Sequence, residues 1–153
     1  MTPVDQTITG DGGNCYQAAL ASVLELPLAD VPHFRATHPD DMHGAAARWL
    51  KGWGVRLLPM YFTDRDDLAR THFDFSMYVL VAGYGPRRRA DGSRRQHAVV
   101  GRTLPWGVEL LHDPHPDKTF LADEGHRWVT LVVFPPTHPL CRDSVEGICP
   151  ASA

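Results

Sequence analysis

The chain changes its hydrophobic period midway, and that change limits the folds open to it. In the first third, apolar residues recur at helical spacing. Tyr16, Ala19, Leu20, Val23 and Leu24 form one stripe, stopped by Pro27. Met42, Ala45, Ala46, Trp49, Leu50 and Trp53 form a second, with caps available in Pro39-Asp40-Asp41 and ends available at Gly52 and Gly54. Between them Leu26 to Phe34 is a proline-bracketed connector with room for one short helical turn. Later the pattern becomes short runs of β-branched and aromatic residues: Val55 to Tyr61, Phe75 to Ala82, His97 to Arg102, Gly107 to His112, and Arg127 to Phe134. Pro59 marks the first of these as an edge strand or a bulge. Charged residues from Thr63 to Thr71 suit a loop or a short helix. Helices first, then strands joined by turns, predict an α+β fold in which N-terminal helices pack on a mainly antiparallel sheet. The first helix would lay its small face (Ala18, Ala21, Ser22) or its Leu/Val face on that sheet.

A chain of 153 residues with 43% hydrophobic and 22% charged residues suits one domain with a core of its own. Residues 1–134 are read as that domain, and residues 135–153, rich in Pro, Ser and small side chains, as a tail with little structure. A net charge of -3 gives no general reason for a nucleic-acid partner, and none is expected. No stretch approaches the roughly 20 apolar residues of a membrane span. The start, Met1-Thr2-Pro3-Val4-Asp5-Gln6, is neither basic nor apolar, so no signal peptide is expected, and the location predicted is cytoplasmic unless other machinery exports the protein. With 3 Cys a full disulfide framework is not expected. Cys141 and Cys149 have the option of pairing in an oxidising compartment and are read as free thiols in the cytosol.

The third cysteine stands apart. In Gly12-Gly13-Asn14-Cys15-Tyr16-Gln17-Ala18-Ala19-Leu20-Ala21-Ser22 a glycine loop runs into a helix. Asn14 is a favoured N-cap residue, with Gln17 at the capping-box position, which puts Cys15 at the first helical position. Free N–H groups and the positive end of the helix dipole meet there and favour the reactive thiolate. A nucleophilic cysteine needs a base, and the base an orienting group. His97 opens one strand and Asp113 closes the next, and a hairpin centred on Pro105 sets the two residues opposite each other on one face. Each alone has a plain reading: His97 as one of 9 histidines at a strand edge, Asp113 as a turn former before Pro114. Together with a helix-capped cysteine they make a catalytic set: Cys15 nucleophile, His97 base, Asp113 orienter. Acyl transfer also needs oxyanion donors, for which the Cys15 N–H and the side-chain amides of Gln6 or Asn14 are candidates.

The segments Gly13 to Ser22, His97-Ala98-Val99-Val100 and His112-Asp113-Pro114 resemble the papain-like cysteine peptidases. They are most similar to the small bacterial branch that includes the bacteriocin-processing peptidase domains of export transporters. The resemblance implies a papain-like fold over roughly residues 5–134, a thiol protease acting on a peptide, protein or other amide-containing substrate, and the triad Cys15, His97 and Asp113 with no cofactor. It also implies that Gln6, upstream of the cysteine, supplies the oxyanion donor.

Other readings stay open at this point. The same thioester chemistry serves an amidase, a glutamine deamidase or an acyltransferase. His112, Asp113, His115 and His126 cluster in sequence as metal ligands would, although no His-Glu-x-x-His helix occurs and Pro114 and Pro116 prevent one; a rigid turn with exposed imidazoles is preferred. Arg87, Arg88, Arg89, Arg94 and Arg95 crowd what reads as a loop before His97. In the functional reading Arg94 and Arg95 bind an acidic substrate, as a lid or in a non-catalytic binding module; in the plain reading the loop is solvated. Trp49, Trp53 and Trp128 are read as core or rim, and Trp106, in the hairpin turn, as exposed.

Overall fold

The computed structural model describes residues 1–140; Cys141, Cys149 and most of the expected tail lie outside them. The elements run α1 (Cys15–Leu24), a 3₁₀ turn (Leu28–Asp30), α2 (Phe34–Thr37), α3 (Met42–Lys51), β1 (Arg56–Phe62), α4 (Arg65–Ala69), β2 (Tyr78–Arg88), β3 (Arg94–Leu104), β4 (Gly107–His112) and β5 (Arg127–Val133). The strands form one sheet in the order β1-β5-β2-β3-β4, antiparallel throughout. The α+β expectation therefore holds, with helices on a five-stranded antiparallel sheet. Pro59 lies in the edge strand β1, where its missing N–H costs least.

Both faces of the sheet are covered, which explains the continuous apolar runs in β2 and β3. Leu80, Ala98, Val100 and Val132 face a cluster with α1 and α3 (Leu20, Val23, Leu24, Ala46, Leu50). Their neighbours Val79, Val81, Val99 and Val129 face a second cluster with Phe62, Leu68 of α4 and Phe73. α1 is buried almost all round, so its small face and its Leu/Val face are both covered. Such a helix is set in its place by tertiary packing on every side, and little by its own propensity. Its last turn ends at Glu25 in the left-handed region, φ 56°. Asp41 caps α3 by accepting the Gly44 N–H at 3.2 Å.

Three sequence expectations need correction. First, the Arg-rich segment is no loop: β2 runs on to Arg88 and β3 begins at Arg94, so only residues 89–93 turn. Second, Asn14 precedes α1 but its side chain makes no cap. Its Oδ1 accepts the N–H groups of Thr7 and Ile8, at 3.1 and 2.9 Å, and its Nδ2 donates to Thr7 Oγ1 and Gln17 Oε1. The capping box is replaced by a clamp on the preceding loop. Third, the β3–β4 hairpin does not centre on Pro105. Leu104 pairs with Gly107 across the two-residue turn Pro105-Trp106, and Trp106 is 69% exposed, as expected. An unbroken ladder in this register would put Asp113 opposite Ala98 and turn it away from the face of His97. A bulge prevents that: Gly101 pairs with Leu110 but Val100 pairs with His112, leaving Leu111 as the extra residue. The bulge turns the following residues over and returns Asp113 to the side of His97. Gly101 at the bulge has no room for a side chain, since a Cβ there would come within 2.7 Å of Val108.

Candidate active site

The start of α1, the start of β3 and the end of β4 meet at one point. His97 Nε2–H donates to Asp113 Oδ1 at 2.6 Å, between two groups that are 6% and 1% exposed. The other imidazole nitrogen, Nδ1, is left for the Cys15 thiol, which lies within interaction range of His97 and of the N–H groups of Ala98 and Tyr16. Thiol, imidazole and carboxylate thus form one row, though His97 and Asp113 reach each other from offset positions and not from directly opposed ones.

The charges in that row support one another. Burial pushes the Cys15 thiol up, but the hydrogen bond and charge of His97 and the N–H groups of Ala98 and Tyr16 outweigh it, so the thiol sits below its ordinary value. Burial pulls the His97 imidazole down, while the bonds to Asp113 and Cys15 raise it to about 9. Burial also pushes Asp113 up, and His97 with the N–H groups of His115 and Phe120 brings it down to about 2. All three directions favour a thiolate–imidazolium pair backed by a carboxylate.

Asp113 is held from all sides. Its Oδ1 also accepts the His115 N–H at 2.8 Å, and its Oδ2 the Phe120 N–H at 2.7 Å. Its carbonyl accepts Lys118 Nζ at 2.8 Å, and Lys118 pairs with Asp5. Lys118 and Phe120 have left-handed backbones, φ 49° and 56°. Such conformations cost about 1–3 kcal/mol each in a non-glycine residue and persist where surrounding contacts impose them.

Gln6 is buried at this junction rather than solvated. Its N–H donates to Pro114 O at 3.0 Å, and His112 Nε2–H donates to Val4 O at 2.9 Å, so residues 4–6 are stitched to the end of β4. Gln6 Nε2 donates one hydrogen to Ile8 O at 2.8 Å, and its Oε1 is buried with no partner. Asn14, by contrast, has its amide engaged on the 7–8 loop and on Gln17. Just before it, Gly13 lets the loop close tightly, since a Cβ there would meet Gly10 O at 3.0 Å and Ile8 O at 3.2 Å.

The four residues weighed as metal ligands are dispersed, and their imidazoles are largely covered rather than exposed. His112 is committed to Val4, and the His115 ring stands edge-on to His97 at 6.2 Å with Nδ1 accepting the Asp117 N–H. His126 packs among Trp128, Tyr84 and Tyr61. Among the described residues no three His, Cys, Asp or Glu side chains converge as a metal site. Arg94 pairs with Glu124 at 2.7 Å, while Arg89 and Arg95 both reach Asp11, at 2.7 and 3.5 Å, in the loop before Cys15. Arg87 lies 3.6 Å from Asp117.

Sequence reasoning names Cys15, His97, Asp113 and Gln6. It misses the N–H groups of His115 and Phe120, the Lys118 bridge and the buried Arg127. Main-chain donors have no sequence signature, and the only hint was the density of Pro and His after Asp113. No helix among the described residues is long and apolar enough to cross a membrane. The chain was compared with protein-family models, with curated proteins and with solved structures, and none of them matches it.

Proposed function

We propose that this protein is a cysteine-dependent hydrolase of papain-like fold that cleaves an amide bond, in a peptide or protein, through a thioester acyl-enzyme. The observation that carries the reading is His97, tied through Nε2 to a buried carboxylate while its other nitrogen serves a thiol at the start of a helix.

The chemistry follows from that row. His97 Nδ1 holds the proton taken from Cys15, and the sulfur attacks the substrate carbonyl carbon. The carbonyl π electrons move to oxygen, and the oxyanion accepts hydrogen bonds from the Cys15 N–H and from the free hydrogen of Gln6 Nε2. Collapse of the intermediate expels the amine, which takes the proton from His97, and leaves a thioester. Water then gives a proton to His97 Nδ1 and attacks the thioester, and the thiolate departs. Asp113 stays ionised throughout and stabilises the imidazolium. Asn14 supports the loop that shapes the site, and Arg94 and Arg95, paired with Glu124 and Asp11, are assigned to the recognition of an acidic group on the substrate. The thiolate must stay reduced, which suits a cytoplasmic setting.

A peptide library digested and read by mass spectrometry tests the proposal, with Cys15→Ala as control. Cleavage that Cys15→Ala abolishes is the expected result. Ammonia released from glutamine side chains, or acyl transfer to added hydroxylamine without hydrolysis in water, would reassign the same triad to a deamidase or an acyltransferase. A Cys15 thiol that alkylates with an ordinary pH profile, together with no turnover, would reject catalysis in favour of a binding module.

A further inference from the structure

Arg127 opens β5 and is 4% exposed. The carboxylate whose charge it feels, Asp123, is itself paired with Arg65. The guanidinium is spent instead on main-chain carbonyls: Nη1 donates to Gly125 O and His126 O at 3.1 Å and to Glu124 O at 3.5 Å, and Nη2 donates to Ala122 O. Taking a guanidinium out of water without a counter-charge is unfavourable, and an apolar side chain would fill the same space at less cost. What Arg alone supplies is a rigid fork with five donors, able to hold several carbonyls at once.

Those carbonyls belong to one segment. Residues 113–126 contain neither helix nor strand. The segment is fixed at the Asp113 carboxylate through the Phe120 N–H, at Tyr84 O through the Ala122 N–H at 2.8 Å, and at Arg127. Its two left-handed residues, Lys118 and Phe120, lie before the stretch that Arg127 grips. The sheet makes room for the fork. Gly83 pairs with Arg127 on one side and His97 on the other, and a Cβ on Gly83 would come within 3.0 Å of Arg127 Nη1 and of His126 O.

We propose that Arg127 is a positioning residue for the Cys15–His97–Asp113 row: it fixes residues 122–126 so that the Phe120 N–H stays on Asp113 Oδ2, which keeps Oδ1 aimed at His97. This rests on the reading of those three residues as a catalytic triad. Released, the segment carries the Phe120 N–H away, the carboxylate gains rotation about its side-chain bonds, and the imidazolium loses its fixed partner.

The pH dependence of Cys15 alkylation by iodoacetamide tests this without a known substrate, with peptide mapping to separate Cys15 from Cys141 and Cys149. In Arg127→Gln the midpoint rises by about one pH unit, making alkylation on the acid side of the wild-type midpoint about tenfold slower. Arg127→Lys, which keeps the charge but not the fork, falls between. Gly83→Ala leaves Arg127 in place and pushes its guanidinium off the carbonyls; it shifts the midpoint in the same direction. A loss of thermal stability with the alkylation profile unmoved means Arg127 only supports the fold and overturns the proposal. So does a wild-type Phe120 amide that exchanges with solvent as fast as an open loop, whether or not the variants fold. The two readings fail separately: an ordinary profile in the wild-type protein rejects the triad itself, whereas a shifted wild-type profile that no variant moves rejects only the role of Arg127.

Discussion

Replacing Asp113 by Asn separates the charge of the triad from its geometry. The carboxylate accepts three hydrogen bonds, two at Oδ1 from His97 and His115 and one at Oδ2 from Phe120. An asparagine that puts its oxygen at the Oδ1 position keeps two of them and sets its NH₂ against the Phe120 N–H. The reverse orientation loses two. The first orientation should therefore win, and His97 keeps its tautomer and ring position. Two costs follow. A buried donor without an acceptor costs about 1–3 kcal/mol of stability. The imidazolium also loses a charge-assisted bond inside the protein, which is worth about 1.5–3 kcal/mol. Since about 1.4 kcal/mol corresponds to one pH unit, the midpoint of Cys15 alkylation should rise by about 1–2 units, toward an ordinary thiol. The assay is the rate of iodoacetamide labelling of Cys15 from pH 4 to 10, with urea unfolding in parallel to show that the variant is folded. An Asp113→Asn protein that is folded and labels with the wild-type midpoint would refute the claim that the carboxylate stabilises the ion pair.

Three other outcomes are expected. The Asp113 carboxyl, at about 2 in the fold against an ordinary 3.8, adds stability that is present above about pH 4 and disappears as pH falls through 2; the His97 imidazole, raised from 6.5 to about 9, adds stability that is present below 6.5 and disappears as pH rises through 9. Urea unfolding should thus weaken by about 2–3 kcal/mol as pH falls from about 5 to 1, and Asp113→Asn should flatten that limb. On the alkaline side the lowered Cys15 thiol adds stability as pH rises and offsets the His97 loss. A wild-type acid limb as flat as the variant's contradicts the buried carboxylate. Gln6→Ala should weaken a peptide aldehyde, whose hemithioacetal carries the oxyanion, by about 100-fold while leaving the alkylation profile unchanged, and equal affinity would remove Gln6 from the oxyanion site. Leu50→Ala empties a fully buried position between α3 and the sheet and should cost about 2–5 kcal/mol in urea unfolding; a loss under about 1 kcal/mol would mean that α3 is not part of the core.

The parts of this fold that sequence reasoning reaches are those that repeat along the chain. The helical stripe from Met42 and the strand Gly107–His112 appear at the places their periods predict, because one period buries one face. The extent of β2 was hidden by its own charges. Arg87 and Arg88 read as a solvated loop, yet their strand pairs onward with β3 and Arg87 reaches Asp117, more than twenty residues away. The role of Asn14 was hidden for a related reason: a capping residue takes whichever N–H groups are nearest, and the chain at Thr7 and Ile8 offers two. Cys15, His97 and Asp113 were legible because each carries a side chain of distinctive chemistry at an element boundary. The grip on Asp113 was not, because it is made by amide groups that every residue has, brought close by a segment with no period at all.

The extra residue at Leu111 makes the length of the β3–β4 hairpin a quantity that counts in twos. A single insertion or deletion within the paired part of either strand, Ala98 to Leu104 or Gly107 to His112, would send the Asp113 side chain to the opposite surface of the sheet and leave the site without its carboxylate. A change of two residues would lengthen or shorten the arm and leave the site assembled. Among relatives of this chain the paired strands of the hairpin should therefore vary in length by even steps, and an odd step outside the turn should come with the loss of the bulge or with a different residue taking the place of Asp113.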